Sequence, residues 1–312
     1  MLTLLVSLAL QAADTVRFTP TIAQPTFAVR EPVARIRPGT VLISRTNHGP
    51  YYTEAGGAFP GEVGPFYVEG ATTNDMLKVE IIKVRPNTGL AAAQVYSNFG
   101  GLASDSKVRM LNDPIQPRRY LWRLDTTRMT GTTDMPRSKR KVEIELRPML
   151  GRIAVAPQGE EAFGGDWPGD FGGNMDANEV REGTTVYLPI FHDGAYFYFG
   201  DGHARMGAGE VAGTGLETSM DVVLKVDVVR GKTILWPRFE DRDYIMVAGS
   251  GRPLIDAFRL AHIELIEWMV QDFGFDKLDA YALIGQVGES SVANIVDPAY
   301  TVVAKINKKY LK

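Results

Sequence analysis

The sequence predicts an α+β fold in which strands dominate: an antiparallel β sandwich or barrel-like body with two helices near the C-terminus. Three observations carry this expectation. Through most of the chain apolar and polar residues alternate, as in Lys141-Val142-Glu143-Ile144-Glu145-Leu146, the period of a strand with one buried face. Gly and Pro interrupt these runs at short intervals, as connections between antiparallel strands do. Only after Gly251 does the apolar spacing become helical.

The elements follow in order. The run Leu2 to Leu10 is too short to span a bilayer and has the character of a signal-peptide core, although it lacks a positively charged start. Residues 1–13 are therefore expected to be a leader cleaved near Ala12 or Ala13, with a periplasmic or secreted mature protein; retention in the cytoplasm is the alternative. Residues 14–150 are expected as an N-terminal β-rich half and 151–312 as a C-terminal β-rich half, together one or two intimate units. Strands are expected at Val33–Arg37, at Val41–Ser44 after the Pro38-Gly39 turn, at Met76–Val84, at Lys141–Leu146 and at Thr218–Val228. Leu254, Phe258, Ala261, Leu265 and Met269 then recur at helical spacing, with Pro253 in the first turn and Gly274 at the end. His262 lies on this stripe and reads as a packing residue. A second helix is expected from Asp276 to near Gly288, and Tyr300–Ile306 reads as a closing strand.

Composition excludes several classes. A chain of 312 residues with 45% hydrophobic content builds an ordinary globular core. Its net charge of -3 argues against nucleic acid or an anionic membrane as partner, and the basic stretch Arg137–Lys141 reads as a solvated loop. No other apolar run approaches membrane-spanning length, so no membrane association is expected after processing. There is no cysteine, hence no disulfide framework and no thiol nucleophile. No Gly-x-Ser-x-Gly elbow and no dinucleotide-binding glycine motif between a strand and a helix is present.

The chemistry concentrates between Gly172 and Glu217. Gly200-Asp201-Gly202-His203 follows the alternating run Tyr196-Phe197-Tyr198-Phe199. If the strand continues, Asp201 and His203 share one face. An acid and an imidazole two residues apart between glycines suit a metal or proton-transfer site, although such a string alone is more often a turn. Asn174-Met175-Asp176 supplies a second Asn/Asp pair at period two, and Glu210 and Glu217 follow shortly. His48, in Asn47-His48-Gly49-Pro50, reads as a loop residue.

These stretches resemble the acetamidase/formamidase family. Gly172–Asp176 is similar to its "GGNMD", Gly183–Phe191 to "G(S/T)TLYLPVF", and Gly194–Thr218 to "GALFSVGDGHAAQGDGEVCGTAIET". Gly64–Ala71 resembles "TGPFYVEGAEPGD", Leu146–Pro157 resembles "LRPFLGVIGVAP", and Asn98–Leu102 resembles a "PGFGLL" loop near the site. The likeness runs over roughly residues 17–306, and Thr26–Pro38 is closer to an exported subfamily. Three positions depart from the family pattern: Arg205, Met206 and Ala208 stand for Ala, Gln and Asp.

The resemblance implies a hydrolase of carbon–nitrogen bonds in small linear amides, releasing ammonia and a carboxylic acid, and a homo-oligomer. Without Ser or Cys nucleophiles, amide hydrolysis needs an activated water, which a divalent metal can supply. Donors of nitrogen and oxygen fit zinc, and carboxylates with backbone oxygens fit calcium. The expected ligands are Asp176, Asp201 and His203. Glu210, with Glu217 as its rival, is expected as the base, and Asn174 joins the catalytic set. The alternative is a non-catalytic β-rich protein that binds a small molecule or carbohydrate on the same fold.

Overall fold

A computed structural model describes residues 14–54, 57–103 and 115–312. The expected leader, residues 1–13, lies outside the described residues. Among those described, strands dominate and two helices sit near the C-terminus, as expected, and the sheets are open rather than closed into a barrel.

The largest sheet has nine strands in the order Thr15–Arg17, Thr40–Arg45, Met220–Val229, Met76–Pro86, Thr185–Pro189, Arg238–Glu240, Tyr244–Gly251, Tyr300–Asn307 and Glu289–Asn294. A six-stranded sheet runs Pro168–Gly169, Gly172–Asn174, Met149–Ala154, Phe197–His203, Val63–Val68 and Ala34–Ile36. Both mix strands from either side of residue 150. Pairing is antiparallel except for Thr15–Arg17 with Thr40–Arg45 and Ala34–Ile36 with Val63–Val68. A four-stranded sheet joins Arg140–Glu145, Thr130–Met135, Arg118–Asp125 and Leu90–Val95.

One apolar core connects the two large sheets. Phe66, Phe197 and Phe199 from the six-stranded sheet belong to the same buried cluster as Leu77, Val79, Val186, Leu188, Leu224 and Val226 from the nine-stranded one. Period-two alternation divides the strand Tyr244–Gly251 between two layers. Met246 and Ala248 face this core, while Ile245 and Val247 face a second cluster formed with the helices.

The first helix spans Leu254–Phe273, preceded by Pro253 and capped by Gly274 at φ 70°. Ala261, Leu265 and Met269 of the expected stripe are buried, but Phe258 is 42% exposed, and Ala257 and Trp268 are buried beside them. The reason is the sheet beneath. A Cβ on Gly249 would lie 2.5 Å from the Ala261 nitrogen and 2.6 Å from the Ala257 oxygen, so the two alanines bring the helix backbone down onto a bare glycine. His262 is a packing residue: its ring lies against Phe258, and its nitrogens meet the Phe258 carbonyl at 2.7 Å and Ser290 Oγ at 2.9 Å. The second helix, Lys277–Val287, starts where Asp276 accepts the Leu278 and Asp279 N–H groups.

Candidate active site

The strand Phe197–His203 is buried along its whole length, between Met149–Ala154 and Val63–Val68. Its aromatic half anchors it in the core, and its last residues carry Asp201 and His203. Asp176 follows the short strand Gly172–Asn174 and meets Gly151 through its backbone N–H at 3.1 Å. Glu210 sits in a turn closed by Gly213 N–H onto its carbonyl at 2.7 Å, and Glu217 bridges back to His203 and Ala92.

The five ionisable residues singled out in the sequence therefore converge. His203 Nε2 lies 3.0 Å from Glu217 Oε1, 3.3 Å from Asp201 Oδ1 and 3.9 Å from Glu210 Oε1, while Nδ1 lies 3.9 Å from Asp176 Oδ1. Donor atoms of Asp176, His203 and Glu210 all fall within 4.8 Å of one another, and so do those of Asp201, His203 and Glu217. Asp176 and Asp201 thus meet opposite nitrogens of one imidazole. Asp176, Asp201 and Glu210 hold φ values of 46°, 55° and 45°, a left-handed conformation that costs a non-glycine residue about 1–3 kcal/mol and concentrates at functional sites.

Two glycines make room for this crowding. A Cβ on Gly151 would lie 2.4 Å from Asp176 Oδ1 and 2.5 Å from Asp201 Oδ2, and one on Gly215 would lie 2.7 Å from the His203 ring. Both carboxylates lie over bare backbone that any side chain would occupy.

Sequence reasoning missed the surrounding shell. Arg152 donates from Nη1 to Glu62 Oε1 at 2.6 Å and from Nε to Asn174 Oδ1 at 2.5 Å, and its Nε is 3.4 Å from Asp201 Oδ2. Asn174 Nδ2 donates to Asp297 Oδ2 at 2.6 Å, which also accepts from Asn294 Nδ2 at 2.7 Å. Asn174 is thus joined to the cluster, with its carboxamide held at both ends. One signal for Arg152 was available: within the stretch Leu146–Pro157 it occupies the place of a valine in the similar family motif. Glu62, Asn294 and Asp297 lie in stretches with no catalytic pattern.

Electrostatics follow from burial. Glu62, Asp176, Asp201, Glu210, Glu217 and Asp297 are all buried, and the bases buried with them are Arg152 and His203. Burial raises Asp176, with Asp297 adding to it, and raises Glu210, with Asp176 adding to it, well above the carboxylate range. Burial likewise lifts Asp297, with Glu210 adding, while Glu62 and Glu217 rise to about 7 against the pull of Arg152 and His203 respectively. For Asp201 burial is overcome by His203 and Arg152, which hold its carboxyl below the usual range. Burial also opposes charge on His203, but Glu217 and Asp201 raise it well above an ordinary imidazole. The cluster is short of positive charge.

That shortage is the condition a cation would relieve. Asp176 Oδ1, Asp201 Oδ1, His203 Nδ1 and Glu217 Oε2 are buried without hydrogen-bond partners, an unfavourable arrangement for polar atoms that ligation would satisfy. The donor set, imidazole and carboxylate without thiolate, suits a divalent metal such as zinc or calcium. A metal is therefore compatible with the residues present.

A cavity of about 270 Å³ opens onto the cluster, its polar lining including Arg152, Asp166, Asn174, Asp201, Glu210, Glu217 and Asp297. Asp176 and His203 lie beneath this floor. Its lining also carries the aromatic residues Tyr51, Phe59, Tyr96 and Phe99, so the expected Asn98–Leu102 loop does approach the site. A larger cavity of about 400 Å³ abuts it, sharing Phe99, Asp166 and Asp297, but is lined by neither His203 nor either glutamate. The three departures from the family motif point elsewhere. Arg205 donates to the Glu145 carbonyl, Met206 is buried in a groove beside Tyr120 and Trp122, and Ala208 is exposed. His48 is an exposed loop residue with Nδ1 3.3 Å from Ser219 Oγ.

Comparison with known proteins agrees with this geometry. The profile of the Acetamidase/Formamidase family matches residues 167–308. The chain is similar to a solved acetamidase from Yersinia enterocolitica, with 31% identity and a TM-score of 0.89, covering 97% of this chain and 94% of that one. An acetamidase from Bacillus halodurans is 25% identical, with a TM-score of 0.80 over 95% of this chain and 98% of that one. A predicted acetamidase/formamidase from Thermoanaerobacter tengcongensis, 24% identical with a TM-score of 0.83 over 96% and 98% of the two chains, shares the fold. No curated protein sequence matches.

Proposed function

The chain belongs to the acetamidase/formamidase family, and on that premise we propose that it hydrolyses the carbon–nitrogen bond of small linear amides, formamide- or acetamide-like, to ammonia and a carboxylic acid with the help of a divalent metal. The observation that supports this reading most is the set of orphaned donor atoms on Asp176, Asp201 and His203 directly below a cavity. Asp176 and His203 would hold the metal on the Nδ1 side of the ring; Asp201, whose Oδ1 meets the ring at Nε2, would join them through its other oxygen, which shares the space over Gly151 with Asp176 Oδ1. Bound there, it would lower the pKa of a water toward about 7 and polarise the amide carbonyl.

The protein's own groups do the rest. Glu217 Oε1 accepts the Gly215 N–H at 2.9 Å and faces His203 Nε2 at 3.0 Å. It can therefore take an Nε2–H bond and leave Nδ1 available as a ligand, the carboxylate–imidazole pairing that fixes a ligating histidine. Glu210 lines the cavity floor and is the base in this reading: it removes a proton from the attacking water and returns it to the leaving nitrogen. Asn174, with both ends of its amide engaged, keeps Arg152 and Asp297 in place around the site.

Ammonia release from formamide, acetamide and propionamide, measured on chelator-treated protein before and after zinc or calcium is restored, tests the proposal. Metal-dependent ammonia is the expected result. A metal-loaded protein that binds an amide and releases no ammonia from any of the three would point to the non-catalytic alternative.

A further inference from the structure

The cavity over the acid cluster is larger and less polar than a one- or two-carbon amide requires. Its volume is about 270 Å³, room for several water molecules beyond a one- or two-carbon amide. Part of its lining is built from aromatic rings in mutual contact. Tyr51 meets Phe59 edge-on at 5.4 Å between centroids, and Tyr96 meets Phe99 edge-on at 5.9 Å. The Tyr51 and Tyr96 hydroxyls bond each other at 2.8 Å, which joins the two pairs into one surface and gives each tyrosine's polar end a partner. The Arg152 guanidinium lies 4.4 Å from the centre of the Phe59 ring, continuing the flat surface to the floor.

This wall is held in place from behind. A Cβ on Gly213 would lie 2.7 Å from the Phe99 ring, so the ring packs on bare backbone in the segment that follows Glu210. The Phe99 ring is therefore held against the segment that carries Glu210. A ligand that fills the cavity has a hydrogen-bonding end of primary-amide size and, next to it, a planar apolar body.

Resting on the amidase reading above, we infer that the preferred substrates are arylacetamide-type primary amides, with the amide over Glu210 and Glu217 and the aryl group against Tyr51, Phe59, Tyr96 and Phe99. Such rings prefer edge-on or offset contacts at these separations. One methylene in an apolar pocket already discriminates by about tenfold or more, so a whole ring has room to dominate selectivity.

The test is kcat/KM for phenylacetamide against acetamide on the metal-loaded enzyme, in wild type and in Phe99→Ala. The expected result is a phenylacetamide preference of at least tenfold, falling by about tenfold in the ratio for Phe99→Ala. Equal rates, or a preference for acetamide, overturn this inference while leaving the amidase reading intact. If no amide is turned over, the amidase reading fails and binding decides the cavity's preference by calorimetry on the same protein. Phenylacetamide binding at least tenfold tighter than acetamide then supports the aryl site, and equal affinity overturns it.

Discussion

Glu217 and His203 hold each other in place: Oε1 of the buried carboxylate lies 3.0 Å from Nε2 of the buried imidazole, and the same oxygen takes the Gly215 N–H. This pairing decides which face of the ring is left for chemistry. It commits Nε2 to the glutamate side and turns the unpartnered Nδ1 toward Asp176.

His203→Ala and Asp201→Ala are each expected to lower bound metal and abolish amide hydrolysis while leaving the strand-rich fold in place. Metal content by mass spectrometry, activity and circular dichroism check this together. Full activity in both variants would remove the ligand assignment.

Glu210→Gln keeps the size of the side chain and removes its basicity. Metal content and melting temperature are expected to stay near wild type while kcat falls by ~10²–10⁴-fold, as for loss of a general base. Turnover at the wild-type rate would transfer the role to Glu217.

Gly151→Ala tests the close approach of the two aspartates. A methyl group there would meet Asp176 Oδ1 at 2.4 Å and Asp201 Oδ2 at 2.5 Å. Overpacking of this kind costs about 1–3 kcal/mol, and both carboxylates must move. A lower melting temperature and loss of metal are expected; an unchanged metal affinity would mean that the aspartates are not ligands.

The pH dependence of the metal-free protein has a definite sign. Glu62 and Glu217 are raised from 4.5 to about 7, so the folded state binds more protons than the unfolded state between these values, and stability falls as pH rises through that window. His203, raised well above its ordinary value, extends the decline above the window, since its stabilising charge is lost only as pH passes its folded pKa. Each of the glutamates contributes on the order of 3 kcal/mol across its shift. Thermal melts of chelated protein between pH 5 and 8 should show this fall, and Glu62→Gln should make it shallower. A melting temperature that rises over the range contradicts the charge imbalance. Added metal should stabilise most at the alkaline end, where the carboxylates are ionised without it.

Much of this arrangement was legible before the structure, because it is written in local periodicity. The strand Met76–Pro86, the helix closed by Gly274 and the start of the second helix at Asp276 each follow from residues a few positions apart. Asp201 and His203 were legible for the same reason, and the glycines around them showed that space was needed. Long-range pairings were not. Nothing near Glu62 indicates that Arg152 will lie 2.6 Å away, or that Asn174 will donate to Asp297. The helix stripe was misplaced at Phe258 because Gly249, on another element, decides which face the helix lays down.

The interleaving of the two sheets carries over to how the protein is made. Met76–Pro86 is flanked in its sheet by Met220–Val229 and Thr185–Pro189, and Asp297, which ties down Asn174, comes just before the strand Tyr300–Asn307. On a ribosome Met76–Pro86 emerges with neither neighbour yet synthesised, leaving open edges of the kind that invite aggregation. The acid cluster stays unfinished until nearly the whole chain has been released. Amidase activity would thus report completed folding, and a nascent chain stalled before Asp297 would carry every expected ligand and still have no finished site.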